Sequence, residues 1–111
     1  MYKEMKRERE REDKICRIAR FYGEETQSNQ FSEEAGELLQ AINKLRRAKG
    51  IGQPTNKSID ECERDVIEEL ADVLVMVKEL IYLHCAKGEV EEIIDRKLER
   101  EMKRMVEIKN E

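Results

Sequence analysis

Two stretches decide the fold, FSEEAGELLQAINKL at residues 31–45 and VIEELADVLVMVKEL at residues 66–80. Sliding the chain on itself by 35 positions superposes them: Phe31 meets Val66, Ala35 meets Leu70, Leu38 meets Val73, Ile42 meets Val77 and Leu45 meets Leu80. Apolar residues in alternating three- and four-residue steps form one stripe on a helix, so each stretch is predicted to be an amphipathic helix that packs on another. The acids coincide as well, Glu33 and Glu34 with Glu68 and Glu69, and Glu37 with Asp72.

Between the two lie Gly50, Gly52 and Pro54, three breakers that predict a loop. The first helix of the pair should reach about Lys49. Ser58 with Glu61 has the S-x-x-E spacing of a capping box and places the next start near Ser58. That helix is broadened by Ile67, Leu74 and Ile81 and is expected to be the central one, ended by Gly88. A last helix from about Glu89 would turn Val90, Ile94, Leu98, Met102 and Met105 inward. Upstream, residues 3–14 mix both charge signs in nearly every position and predict a solvated helical extension. Its first apolar stripe is Ile15, Ile18, Ala19 and Tyr22; Gly23 ends it, and Thr26 or Ser28 would start the next helix.

The expectation is therefore an all-α, four-helix bundle-like domain over residues 1–111, built on an antiparallel hairpin. Charged residues make up 43% of the chain and aromatics 5%, which suits long helices. With 111 residues the core is small enough to gain from a partner subunit. A net charge of -4 argues against nucleic acid as a partner. No apolar run approaches the roughly 20 residues that span a bilayer, and the charged N-terminus does not read as a signal peptide, so a cytoplasmic protein is expected. Cys16, Cys62 and Cys85 lack zinc-ligand spacing and read as reduced thiols; His84 reads as a capping or packed side chain.

A turn centred on residue 53 puts the pairs 34–37 and 69–72 at equal distances from it, hence at one height on antiparallel neighbours. Glu34, Glu37, Glu69 and Asp72 would then meet at the flank of the apolar seam. Four carboxylates in a reduced dielectric repel one another unless protons or a cation intervene. Oxygen-only ligands suit Mg²⁺, with Mn²⁺ as a substitute, and Mg²⁺ commonly completes its shell with substrate phosphates. The competing reading is a solvated acidic face on a helical oligomerisation or antitoxin-like interaction module.

EEAGE at Glu33–Glu37 followed by EELAD at Glu68–Asp72 resembles the EExxE and ExxD motifs of the MazG-like all-α nucleoside triphosphate pyrophosphohydrolases. IARFYGEETQ at residues 18–27 is similar to the segment that leads into the first motif, and DRKLER at residues 95–100 resembles a basic N-x-K-x-x-R segment, with Asp95 where Asn is common and Glu101 where a second Arg often follows. The resemblance spans residues 15–104. It implies hydrolysis of a nucleoside triphosphate between the α- and β-phosphates, with Glu34, Glu37, Glu69 and Asp72 holding Mg²⁺.

On this reading Glu33 would orient the attacking water or accept its proton, or else be a plain surface glutamate. Lys97 and Arg100 would meet the leaving pyrophosphate if the last helix crosses the acidic seam, or else form solvated ion pairs. Gln27 and Gln30, one and two turns before Glu34, would read a base edge or ribose, or else form a polar surface strip. The resemblance also implies a homodimer or homotetramer whose base pocket a second subunit helps to line.

Overall fold

The computed structural model describes residues 1–110, which form four helices and no strand: α1 Tyr2–Tyr22, α2 Glu24–Ala48, α3 Ile59–Leu83 and α4 Lys87–Asn110. α1 is exposed through Lys14, half-buried at Ile15 and Cys16, and buried at Ala19. Its charged first half is the solvated extension that its sequence predicts.

α1 and α2 are separated by one residue. Gly23 has φ 87° and ψ 168°, a conformation closed to side chains with a Cβ, and its N–H donates to the Ala19 carbonyl at 2.8 Å. Because a single glycine makes the break, α2 begins at Glu24 with no side-chain cap, and the expected starts Thr26 and Ser28 lie inside the helix. α2 ends in a Schellman motif. Ile51 N–H donates to Arg46 O at 2.9 Å and Gly50 N–H to Arg47 O at 3.0 Å, with Gly50 at φ 92°.

α3 starts where its capping box predicts. Ser58 Oγ accepts from the Glu61 N–H at 3.1 Å and donates to Glu61 Oε1 at 3.1 Å, an arrangement worth about 1 kcal/mol. Its end is not at Gly88, which lies within the first turn of α4. The stop is a second Schellman motif, in which Ala86 N–H donates to Ile81 O and Cys85 N–H to Tyr82 O, with Cys85 at φ 52° in the position a glycine usually takes. His84 is the C-cap, exposed, with its Nε2 3.6 Å from Glu24 Oε1.

The hairpin of α2 and α3 is the heart of the fold. Every member of the set Gln27, Phe31, Glu34, Leu38, Ala41, Leu45, Ala48 is buried or half-buried, and so is every member of Cys62, Val66, Glu69, Val73, Met76, Leu80, Leu83. Both sets step four, three, four, three, four, three, the heptad rhythm of helices packed at a shallow angle. Ala41 takes the seam position expected for Ile42, and Glu69 and Met76 take those expected for Leu70 and Val77. α3 carries two apolar faces, and the larger side chains Ile67, Leu70 and Leu74 lie on the outer one, exposed.

α4 contradicts the expected inward stripe. It has no buried residue; Leu98 is 60% and Met102 58% exposed, and Ile94 and Met105 are exposed too. The turn at Cys85 sends α4 away, so that its backbone approaches only α3, with Lys87 Nζ reaching Glu12 at 3.3 Å on α1. The radius of gyration is 18.0 Å, against about 13 Å for a compact chain of this length.

Candidate metal centre

Across the seam, carboxylate oxygens of Glu34, Glu37 and Glu69 lie within 4.8 Å of one another. Their convergence follows from the antiparallel register, fixed one heptad away by the buried bond from Gln27 Nε2 to Glu79 Oε1 at 2.8 Å. Residues whose numbers sum to 106 lie at about one height along the hairpin there, and the same sum sets Glu34 level with Asp72 and Glu37 level with Glu69.

The three acids are not equivalent. Glu34 and Glu69 occupy seam positions and are half-buried, whereas Glu37 is exposed at the flank. Glu34 Oε1 accepts from Gln30 Nε2 at 3.0 Å, but Glu34 Oε2 and Glu69 Oε2 are shielded from solvent with no hydrogen-bond donor. Burial pushes the Glu69 carboxyl above its ordinary range, and the neighbouring charges of Glu37, Asp72 and Glu34 push it in the same direction. No lysine or arginine forms an ion pair with any of these acids among the described residues.

Asp72, the fourth expected ligand, is exposed and outside the group of three, although close enough for its charge to raise Glu69. It occupies on α3 the place that Glu37 occupies on α2, with a side chain one methylene shorter. Glu33 and Glu68 are exposed on the outward side, as their helical angles predict.

Other expected site residues are placed differently. Gln27, 5% exposed, spends its amide on Glu79, 2% exposed, so it is a core residue. Gln30 is exposed and holds Glu34. Lys97 and Arg100 are exposed on α4, which does not approach α2, so within one chain they do not come to the carboxylates. Glu79 escaped the sequence reading, although the 106 sum that pairs the acids also pairs it with Gln27.

The arrangement suits a hard divalent cation. All its donors are oxygens, two of them are shielded and without a donor, and a cation relieves both that deficit and the mutual repulsion. A groove of about 510 Å³ lies elsewhere, between α1, α3 and α4, lined by apolar side chains such as Ile15, Leu74, Val77 and Ile94 and by none of the clustered acids. No family model, no curated protein and no solved structure matches this chain.

Proposed function

We propose that the protein is a Mg²⁺-dependent nucleotide pyrophosphohydrolase, cleaving a nucleoside triphosphate between the α- and β-phosphates to a monophosphate and pyrophosphate. The observation that carries this reading is the convergence of Glu34, Glu37 and Glu69 oxygens across the hairpin, with two of their oxygens lacking any donor. The EExxE and ExxD pattern, in that order on those two helices, supports the choice of reaction.

Glu34, Glu37 and Glu69 would hold the ion, with Asp72 completing the set by a small rotation of its shorter side chain. Mg²⁺ or Mn²⁺, when bound, neutralises phosphate charge in the transition state and lowers the pKa of a water. Gln30 keeps Glu34 Oε1 engaged, while Glu34 Oε2 is shielded and has no donor. Glu33, exposed one residue before Glu34, would be the carboxylate that orients the attacking water or accepts its proton.

The same reading makes the enzyme a cytoplasmic homodimer or homotetramer. The bare apolar stripe of α4, the outer face of α3 and the expanded radius of gyration support assembly. A second copy is also the route by which Lys97 and Arg100 would meet the phosphates.

The test is to incubate the protein with a panel of nucleoside triphosphates, with Mg²⁺ or with EDTA, and measure pyrophosphate and orthophosphate separately. Pyrophosphate released only with Mg²⁺, and lost in Glu69→Gln, is the expected result; orthophosphate alone means another bond is cut. A second reading, a non-catalytic interaction module, is favoured by the exposed stripe on α4 and by an apolar groove that none of the clustered acids lines. It predicts no release from any triphosphate by folded protein.

A further inference from the structure

The loop end of the hairpin has a charge of its own. From Leu38 to Ile59 the chain has five basic residues, Lys44, Arg46, Arg47, Lys49 and Lys57, and no acid, although its net charge is -4. Lys57 is engaged by Asp65 at 2.8 Å; the other four form no ion pair among the described residues. Where α2 meets the loop, Asn43, Arg46, Arg47, Ile51, Gly52 and Gln53 line a concavity of about 300 Å³. Its polar side chains are two guanidiniums and two carboxamides.

Basic residues at a helix C-terminus ordinarily complement its dipole. That need is met here by the backbone, since Leu45, Arg46 and Arg47 carbonyls accept from Lys49, Gly50 and Ile51 N–H groups. The guanidiniums are thus free for other work. Arg47 is also held: its Nε is shielded from solvent with no acceptor, and Gly52 lies against its stem, where a Cβ would sit 3.7 Å from Cγ. Packing of that stem fixes the guanidinium in place, and two guanidiniums beside two amides on one concavity, none of them in an ion pair or a side-chain hydrogen bond among the described residues, form a set of donors with no acceptor from the chain itself.

We propose that this concavity binds a phosphoryl anion, either free phosphate or pyrophosphate or the phosphate chain of a nucleotide, with Arg47 as the fixed donor and Arg46 as its exposed partner. Planar guanidiniums match phosphate oxygens in pairs, and the carboxamide N–H groups of Asn43 and Gln53 supply further donors. The site is distinct from the carboxylates: Arg47 follows Glu37 by ten residues, roughly 15 Å along α2. It therefore stands whether or not the chain is a hydrolase. A small concave site in an acidic protein favours a small phosphate compound over nucleic acid.

The test is a titration of the full ¹⁵N-labelled chain with sodium pyrophosphate, inorganic phosphate and a nucleoside triphosphate, each with EDTA so that no metal bridges ligand to the acidic seam. Saturable shifts at the Gly50, Ile51 and Gly52 amides and at the Arg46 and Arg47 guanidinium N–H groups are expected. Arg46→Gln, an exposed change that leaves the core intact, should weaken binding about tenfold or more, and Arg47→Lys should weaken it while keeping the charge. Glu69→Gln should leave it unchanged. Similar shifts from all three ligands mean that the phosphate itself is read, whereas shifts from the nucleotide alone mean that the base or sugar is read and overturn the proposal. No saturable shift, affinity indifferent to Arg46→Gln, or saturation only by a single-stranded oligonucleotide would overturn the proposal.

Discussion

Gln27 and Glu79 are bonded at 2.8 Å in the core of the hairpin, and their numbers add to the same 106 that sets Glu34 level with Asp72 and Glu37 level with Glu69. A neutral amide thus solvates a buried carboxylate one heptad from the acidic cluster. Polar groups at a packed helix seam are best known for specifying register, and this pair specifies the one that brings the acids together.

Gln27→Ala should destabilise the protein by about 2 kcal/mol, because it leaves the Glu79 carboxylate buried without its donor. Replacing both residues by leucine should recover most of that loss while loosening the register. Urea unfolding measures the first effect, and Mg²⁺ affinity followed by calorimetry the second: the double variant is expected to be stable but a weaker metal binder.

The raised Glu69 carboxyl gives a pH dependence with a definite sign. A carboxyl whose pKa is higher folded than unfolded binds more protons when folded, so metal-free stability falls as pH rises from the ordinary value of 4.5 through the raised one. Thermal unfolding in EDTA should therefore show the melting temperature dropping across that window. Mg²⁺ at neutral pH should restore it, and Glu69→Gln should remove both the drop and the Mg²⁺ response. At lower pH the opposite trend enters, because the Lys57 hydrogen bond and charge hold Asp65 below its ordinary range and its contribution is lost as it protonates.

Cys85 holds a left-handed turn conformation at φ 52° that glycine adopts without strain. Cys85→Gly should stabilise the chain by about 0.5 kcal/mol, the relief of strain exceeding the extra unfolded-state entropy. The reverse logic applies at Gly50, φ 92°, where alanine should cost about 1 kcal/mol. Guanidinium unfolding of the two variants resolves both.

Leu98 and Met102 lie on the bare stripe of α4. If that stripe is where copies meet, Leu98→Glu with Met102→Glu should convert a dimer or larger assembly to a monomer without loss of helix content. Sedimentation equilibrium and circular dichroism together decide it. A native chain that sediments as a monomer would remove assembly from the functional reading.

The hairpin and its acidic height were legible because they rest on local signals: two helical stripes, a breaker-rich loop and a serine cap whose geometry is set by neighbours in the chain. The end of α3 was not legible, since a cysteine there carries the turn and the conspicuous Gly88 lies within the next helix. Phase was misread for a related reason. Leu70 and Val77 outrank Glu69 and Met76 in hydrophobicity, so two positions beside the seam of α3 read as part of it. Which of two apolar faces meets the chain's own partner helix depends on contacts far along the sequence, as does the placement of Lys97 and Arg100.

The two arms of the hairpin share one seven-residue phase and are offset by 35, a whole number of heptads. Each arm accordingly offers the other layers in matching order, and an arm borrowed from a neighbouring molecule would find the same layers waiting. What favours the chain's own arm is the ten-residue tether from Lys49 to Ser58, which keeps it at high local concentration. The tether, rather than the complementarity of the surfaces, is what discourages exchange of arms between molecules, and its length and stiffness set how readily such exchange occurs.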